Sequence, residues 1–105
     1  MTRVERVGPL AALPDGRAMR VEIGDRAVAV VRIGDDVYAI GDRCSHQDIS
    51  LSEGDVLGDD KQIECWKHGS AFSLETGEPE SLPATKPVPV YEARVVDGQI
   101  EVVVS

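Results

Sequence analysis

Short runs of apolar and β-branched residues alternate with turn residues along the chain, and no long segment has the spacing of an amphipathic helix. Gly and Pro interrupt every window long enough for a helix, and only Asp48 to Glu53 is suited to a single helical turn. The pattern predicts a compact all-β domain of short antiparallel strands. The predicted strands are Arg17–Ile23, Arg26–Ile33, Val37–Ile40, Val88–Val96 and Gln99–Val104.

Pairs of Gly and Asp mark the predicted turns between these strands. Gly24-Asp25, Gly34-Asp35-Asp36 and Asp97-Gly98 each follow a β-like run, and these residue types tolerate the positive φ of tight hairpins. Asp-Gly between two β-branched runs is the strongest of these hairpin signals. Residues 78–89 contain four prolines and are predicted to form an ordered, stiffened loop.

The length and composition are those of one folded unit. A chain of 105 residues predicts a single domain over residues 1–105, with one modest core. The apolar fraction of 42% and the charged fraction of 29% are ordinary for a globular domain, which argues against disorder.

The net charge of −8 is concentrated in one stretch of the sequence. Residues 35–60 contain eight acids and one base, Arg43, and so carry all but one unit of the net negative charge. This balance argues against a nucleic-acid partner, which requires clustered Lys and Arg. The acidic stretch has two interpretations: a solvated face that aids solubility, or a docking surface for a basic partner.

No targeting or membrane segment is visible in the sequence. The first five residues lack the apolar core of a signal peptide, and the longest purely apolar run is Ala27 to Val31. A membrane-spanning helix needs about 20 such residues. We therefore expect a cytoplasmic protein without an anchor, and nothing in the sequence requires more than a monomer.

Both cysteines and both histidines of the chain fall into two short motifs. Cys44-Ser45-His46 is a C-x-H motif, and Cys65-Trp66-Lys67-His68 is a C-x-x-H motif. In a cytosolic chain, paired cysteines are more often metal ligands than a disulfide, although a Cys44–Cys65 disulfide stays open as an alternative. Each motif lets one loop present two ligands, so the two loops predict a site of two thiolates and two imidazoles.

Two kinds of metal centre accept this ligand set: a structural zinc ion and a Rieske iron–sulfur cluster. Common zinc motifs group like ligands, as in C-x₂₋₄-C with H-x₃₋₅-H. Here each motif combines one cysteine with one histidine, which favours a cluster in which one iron takes both thiolates and the other takes both imidazoles.

On these motifs the sequence resembles the Rieske ferredoxin family, and the resemblance covers nearly the whole chain. It implies an antiparallel β-fold with two cluster-binding loops and a Pro-rich third loop, to which Pro83 and Pro87 belong. It also implies one [2Fe–2S] cluster, whose cofactor-binding and metal-ligating residues are Cys44, His46, Cys65 and His68. By this resemblance Cys44 and Cys65 ligate the inner iron, while His46 and His68 ligate the outer iron near the surface.

Ser70 and Phe72, which follow His68 in the sequence, bear on the reduction potential. Ser70 matches a serine that donates to a bridging sulfide in high-potential members, whereas Phe72 stands where those members have a tyrosine hydroxyl. Fewer hydrogen bonds to sulfur stabilise the reduced state less. We therefore expect a potential in the lower part of the Rieske range.

The function implied by the resemblance is one-electron transfer, from a flavin-dependent reductase to a terminal oxygenase, with transient docking at the histidine edge. No catalytic residues are predicted, because both histidines are ligands and no nucleotide-binding glycine motif is present. The chain is therefore expected not to be an enzyme in its own right. The alternatives are a redox sensor or a role in iron–sulfur metabolism and, more remotely, a structural zinc domain.

Overall fold

The computed structural model describes residues 3–24, 26–42, 50–64, 71–79 and 87–104. Within these residues the regular structure consists of β-strands and three single-turn 3₁₀ helices. The strands are β1 (Arg3–Pro9), β2 (Ala18–Ile23), β3 (Arg26–Ile33), β4 (Asp36–Gly41), β5 (Asp55–Leu57), β6 (Gln62–Glu64), β7 (Ala71–Ser73), β8 (Val90–Val96) and β9 (Gln99–Val104). The 3₁₀ helices are Leu10–Ala12, Leu51–Glu53 and Gly58–Asp60.

The strands form two antiparallel sheets, as the sequence predicted. The larger sheet has the order β1-β9-β8-β4-β3-β2, and the smaller has the order β5-β6-β7. Strands β3 and β9 have the limits predicted from the sequence. Neither β1 nor the three strands of the small sheet were predicted.

Tight turns connect β3 to β4 and β8 to β9 in the large sheet. Asp97 and Gly98 have φ values of 52° and 75° between the paired residues Val96 and Gln99, which is the two-residue hairpin that Asp-Gly favours. In the β3–β4 hairpin Ile33 pairs with Asp36. Asp36 therefore belongs to β4 rather than to the turn, where the sequence had placed it.

Two predicted strands begin later than expected, because their first residues bond elsewhere. The Arg17 N–H donates to Pro14 O at 3.2 Å, within a turn before β2. The Val88 N–H donates to Gly77 O at 2.8 Å, and Pro89 has no N–H to offer a neighbouring strand. Strand β8 therefore starts at Val90.

One hydrophobic core lies inside the curved large sheet. Residues of β9 and of β3 belong to the same core, although β8 and β4 separate these strands in the sheet. The sheet must therefore bend back on itself. The buried residues of this first core are Leu13, Ile23, Val28, Val30, Val37, Ala39, Ile100, Val102 and Val104.

A second core lies between the large sheet and the small sheet. Strand β3 alternates between the two cores: Val28 and Val30 face the first, and Ala29 and Val31 face the second. This is why four consecutive residues of β3 are fully buried. The buried residues of the second core are Ala29, Val31, Ile40, Leu51, Ile63, Phe72, Leu74 and Val88.

Candidate metal centre

The four predicted ligands lie in two segments outside the described residues, and the structure defines the ends of both. Cys44 and His46 belong to segment 43–49, which we call the first ligand segment. Cys65 and His68 belong to segment 65–70, the second ligand segment. The placement of the four side chains is accordingly a prediction, and the described residues show how the chain enters and leaves each segment.

Strands β6 and β7 hold the ends of the second ligand segment together. They are antiparallel neighbours, and their last paired residues are Glu64 and Ala71. Ile63 of β6 and Phe72 of β7 are also paired and fully buried in the second core. The six residues between Glu64 and Ala71 thus start and finish on adjacent, well-packed strands.

Asp42 holds the ends of the first ligand segment together. Its backbone carbonyl accepts a hydrogen bond from the Leu51 N–H at 2.5 Å. Its Oδ1 accepts from the Ser52 N–H at 2.8 Å, and its Oδ2 accepts from the Ser50 hydroxyl. The residue before the segment is therefore bonded to the three residues that follow it.

Asp42 is in turn attached to the large sheet. Its N–H donates to Ala27 O at 3.0 Å, and Arg20 Nε lies 3.6 Å from its Oδ2. The side chain is only 2% exposed. The sequence counted Asp42 among the acids of a stretch interpreted either as a solvated face or as a docking surface, and because Asp42 is buried it contributes to neither.

A close contact between Gly54 and Glu64 joins the chain that follows the first ligand segment to the residue that precedes the second. A β-carbon built on Gly54 would lie 1.8 Å from Glu64 O, so only glycine allows this approach. Glu64 directly precedes the second ligand segment, and Gly54 follows the helix Leu51–Glu53 that ends the first. The chain shortly after the first ligand segment therefore lies against the residue just before the second.

The Pro-rich segment starts and ends beside the same region. A β-carbon on Gly77, which has a φ of 78°, would lie 2.1 Å from Val88 O, and the Val88 N–H donates to Gly77 O. At its far end the Gly41 N–H donates to Pro89 O at 2.8 Å, one residue before Asp42. Residues 80–86, including Pro83, lie outside the described residues. Pro87 is described and exposed.

The donor set suits an iron–sulfur cluster of the Rieske type. The described residues contain no group of three or more His, Cys, Asp or Glu side chains that could hold a metal ion. All the cysteines and histidines of the chain lie in the two ligand segments, and Gly54, five residues after the first, lies against Glu64, which precedes the second. Two thiolates and two imidazoles divided equally between two adjoining segments match what a Rieske cluster requires.

Four exposed acids of the 35–60 stretch lie away from the ligand end. Asp35 and Asp36 lie at the β3–β4 turn, whereas the first ligand segment follows the opposite end of β4. Asp59 and Asp60 lie in the helix before β6, whereas the second ligand segment follows the end of β6. The positions of these four acids therefore favour the interpretation of a solvated face over that of a docking surface beside the ligands.

Of the remaining residues in and near the second motif, some lie outside the described residues and one is described. Trp66, Lys67 and Ser70 belong to the second ligand segment and lie outside the described residues. Phe72 is described and has no exposed surface; its ring is part of the second core. Sequence reasoning missed Asp42, Gly54 and Gly77, because nothing in their local sequence indicates the long-range contacts that they make.

The described residues include no helix long and apolar enough to cross a bilayer.

Comparison with known proteins gives concordant results. Residues 4–92 match the sequence model of the Rieske [2Fe-2S] domain. The 3-phenylpropionate/cinnamic acid dioxygenase ferredoxin subunit of Escherichia coli K12 is 42% identical over 92 residues, which cover 88% of this chain and 85% of the relative.

Two solved structures are also similar. The ferredoxin of carbazole 1,9a-dioxygenase from Nocardioides aromaticivorans IC177 has a TM-score of 0.91 and 36% identity, over 94% of this chain and 95% of that chain. A ferredoxin from a complex of reduced oxygenase and oxidized ferredoxin in carbazole 1,9a-dioxygenase has a TM-score of 0.86 and 41% identity, over 94% and 91% of the two chains.

Proposed function

The chain belongs to the Rieske [2Fe-2S] domain family, and from this we propose that it is the ferredoxin component of a ring-hydroxylating dioxygenase system, passing single electrons from a flavin-dependent reductase to a terminal oxygenase. Its relatives are ferredoxin subunits, so the chain is an electron-transfer component rather than a catalytic enzyme. Its cofactor is a Rieske-type [2Fe–2S] cluster.

We assign Cys44 and Cys65 as ligands of one iron and His46 and His68 as ligands of the other. The cluster supplies a one-electron couple. Neutral imidazoles in place of two thiolates make the site less negative and ease the uptake of an electron, which places Rieske centres above plant-type ferredoxins in potential. Two observations support the assignment: the matched C-x-H and C-x-x-H motifs, and the contact between Gly54, which follows the first ligand segment, and Glu64, which precedes the second.

The chain's own residues provide a rigid frame for these ligands. Strands β6 and β7 hold the second ligand segment, Asp42 holds the first, and Gly41 and Gly77 fix the ends of the Pro-rich segment. Beneath them lies the second core, whose side chains contain no ionisable group. A frame that changes little between oxidation states keeps the cost of reorganisation low, and this suits a carrier that must accept and release electrons quickly.

The partners follow from the relatives. The similar carbazole dioxygenase ferredoxin forms a complex with its oxygenase, which supports an oxygenase as the electron acceptor of this chain. A flavin-dependent reductase is the proposed donor, because a one-electron carrier must be reduced by a partner that can deliver electrons singly. Contact at the ligand end of the molecule brings the histidine-ligated iron closest to either partner, and a small transient interface suits rapid exchange.

We also propose that residues 1–105 act as one domain, as a monomer in the cytoplasm. The small sheet has its buried residues in the same core as β3 and β4, which supports a single unit. Cysteine ligands are kept as thiols in a reducing compartment, which supports the cytoplasm.

The observation that carries the function is the combination of the family match over residues 4–92 with the two ligand motifs inside it. The test is rapid-mixing spectrophotometry of the reduced, cluster-loaded chain with an oxidised ring-hydroxylating oxygenase. We expect cluster oxidation and oxygenase reduction to proceed together, with a rate that rises with oxygenase concentration. A cluster that is reduced readily but transfers no electrons to any oxygenase would favour a sensor or a role in iron–sulfur metabolism. A protein that contains zinc instead of iron would favour a structural domain.

A further inference from the structure

Asp42 is a charged side chain that is almost completely removed from solvent. It is 2% exposed, and it lies immediately before the first ligand segment, two residues from Cys44. Burying a carboxylate is costly unless hydrogen bonds and a counter-ion compensate for the lost hydration. The positions of its hydrogen-bond partners and counter-ion therefore indicate which part of the structure Asp42 stabilises.

The hydrogen-bond partners of Asp42 lie across the first ligand segment. The Ser50 hydroxyl and the Ser52 N–H both donate to its carboxylate, and the Ser50 and Ser52 hydroxyl oxygens are 2.8 Å apart. Together with the bond from the Leu51 N–H to the Asp42 carbonyl, this network fixes three consecutive residues after the segment to the one residue before it.

The counter-ion comes from the large sheet. Arg20 of β2 lies 3.6 Å from Asp42 Oδ2, and it also pairs with Glu22 at 3.4 Å. The Arg20 side chain is 52% exposed, whereas that of Asp42 is buried. Asp42 thus joins β2, the end of β4 and the far end of the first ligand segment at one point.

We propose that Asp42 is a positioning residue for the cluster: by fixing both ends of segment 43–49 against Arg20 and β3, it sets the placement of Cys44 and His46. This inference rests on the ligand set proposed above. Seven residues closed at both ends have far fewer conformations than a free loop of that length, so less entropy is lost when they grip a cluster. Residues that orient metal ligands in this way control how firmly the metal is held.

Substitutions of Asp42 separate the hydrogen bonds from the charge. In Asp42→Asn the amide oxygen can still accept from the Ser52 N–H, and the amide nitrogen can donate to the Ser50 hydroxyl oxygen. In Asp42→Ala both bonds are lost, and the half-buried Ser52 N–H loses its acceptor. Positioning through hydrogen bonds therefore predicts a severe effect for Asp42→Ala and a mild one for Asp42→Asn.

The test follows cluster loss from the cluster-loaded protein in the presence of an iron chelator, well below the unfolding temperature. We expect the rate of loss to rise about tenfold in Asp42→Ala and to stay within about threefold of the wild type in Asp42→Asn. We also expect Asp42→Ala to broaden the electron paramagnetic resonance spectrum of the reduced cluster, because ligands of variable placement give a spread of geometries.

Two further variants keep the result decisive. Ser50→Ala removes one bond across the segment while Asp42 remains, and we expect an intermediate increase of about threefold. Glu22→Gln changes the other ion-pair partner of Arg20 and leaves the hydrogen bonds of Asp42 in place, so we expect no change. If Asp42→Ala does not fold, the rates of cluster loss from Ser50→Ala and Glu22→Gln are compared instead, and only Ser50→Ala should lose the cluster faster than the wild type.

Wild-type loss rates and spectra in both Asp42→Ala and Ser50→Ala, with only a lower unfolding temperature, would show that Asp42 serves the fold alone and would overturn the inference. An equal effect of Glu22→Gln would overturn it as well. Failure of the proposed ligand set is distinguishable, because the wild-type protein itself would then lack the spectrum of a histidine-ligated cluster.

Discussion

The backbone of Gly54 lies directly against the carbonyl oxygen of Glu64, so closely that a β-carbon on Gly54 would stand 1.8 Å from that oxygen. Gly54 follows the first ligand segment by five residues, and Glu64 precedes Cys65. This contact joins the two halves of the proposed cluster site through the protein frame, independently of any metal.

We therefore expect Gly54→Ala to destabilise the fold and the cluster together. Adding the methyl group forces Glu64 O, and with it the start of the second ligand segment, to move by more than an ångström. Overpacking of this kind costs about 1–3 kcal/mol. Unfolding temperature and iron content per chain measure the two effects, and both should fall.

Gly58→Ala is the matched control for that substitution. Gly58 belongs to the same part of the chain, but a β-carbon there meets only Ile33 Cγ2 at 3.8 Å, an ordinary contact. It should leave iron content unchanged. Equal loss of iron in both variants would contradict a specific role for the Gly54 contact.

The reduction potential is expected in the lower part of the Rieske range, which runs from about −150 to +300 mV. Phe72 stands where high-potential members have a tyrosine hydroxyl, and its ring is wholly buried in the second core. A phenyl ring has no hydroxyl to donate to a cysteine sulfur, so we expect one hydrogen bond fewer to the reduced cluster. A spectroscopic redox titration measures the value, and a potential near the upper limit would refute this explanation.

The acids at the far end of the sheets should have little influence on electron transfer. Asp59 and Asp60 lie before β6, and the ligands follow its other end. At 0.1 M salt, exposed charges separated by more than about 10 Å are largely screened. We expect the double variant Asp59→Asn, Asp60→Asn to change the rate of electron transfer to an oxygenase by less than about twofold.

Asp55→Asn provides the comparison at the ligand end, since Asp55 pairs with Glu64. The same transfer rates should be measured at low and high salt. A fall of about tenfold in the Asp59, Asp60 variant, abolished by salt, would instead identify the far end as a docking surface.

A substitution in the first core should lower the stability of the fold without affecting the cluster. Ile100 is fully buried there, between β9 and β3. Ile100→Ala should lower the free energy of unfolding by about 2–5 kcal/mol, because it removes buried methyl groups and leaves a cavity. Chemical denaturation measures this loss. The spectrum of the reduced cluster should stay unchanged, and an altered spectrum would show that the two cores are coupled.

What the sequence predicted correctly was local. The Asp97-Gly98 hairpin and the limits of β3 and β9 follow from residue types that favour one backbone conformation or one alternation of burial. The ligand motifs are local in the same sense, because each places a cysteine and a histidine within four residues.

What the sequence could not predict depends on distant partners. Strands β5, β6 and β7 have three residues each, too few for an alternation to be recognised, and they exist because they pair with one another. Strand β1 is largely exposed, and pairing with β9 holds it in place.

Asp42 shows the same limit within the site. A count of charges treats every acid as exposed, and nothing in the spacing of Ser50 and Ser52 marks them as partners of a buried carboxylate. Its burial follows only when β4 and the helix Leu51–Glu53 come together.

The most direct test of the account is pulsed electron paramagnetic resonance on the dithionite-reduced protein, with metal analysis of the same sample. We expect two irons per chain, a rhombic signal that appears only on reduction, and couplings to nitrogen from two imidazole ligands. Substituting His46 or His68 should remove one of these couplings, whereas Glu22→Gln should retain both. A protein with one zinc and no iron, or an iron signal without nitrogen coupling, would contradict the assignment of Cys44, His46, Cys65 and His68 as the ligands of a Rieske cluster.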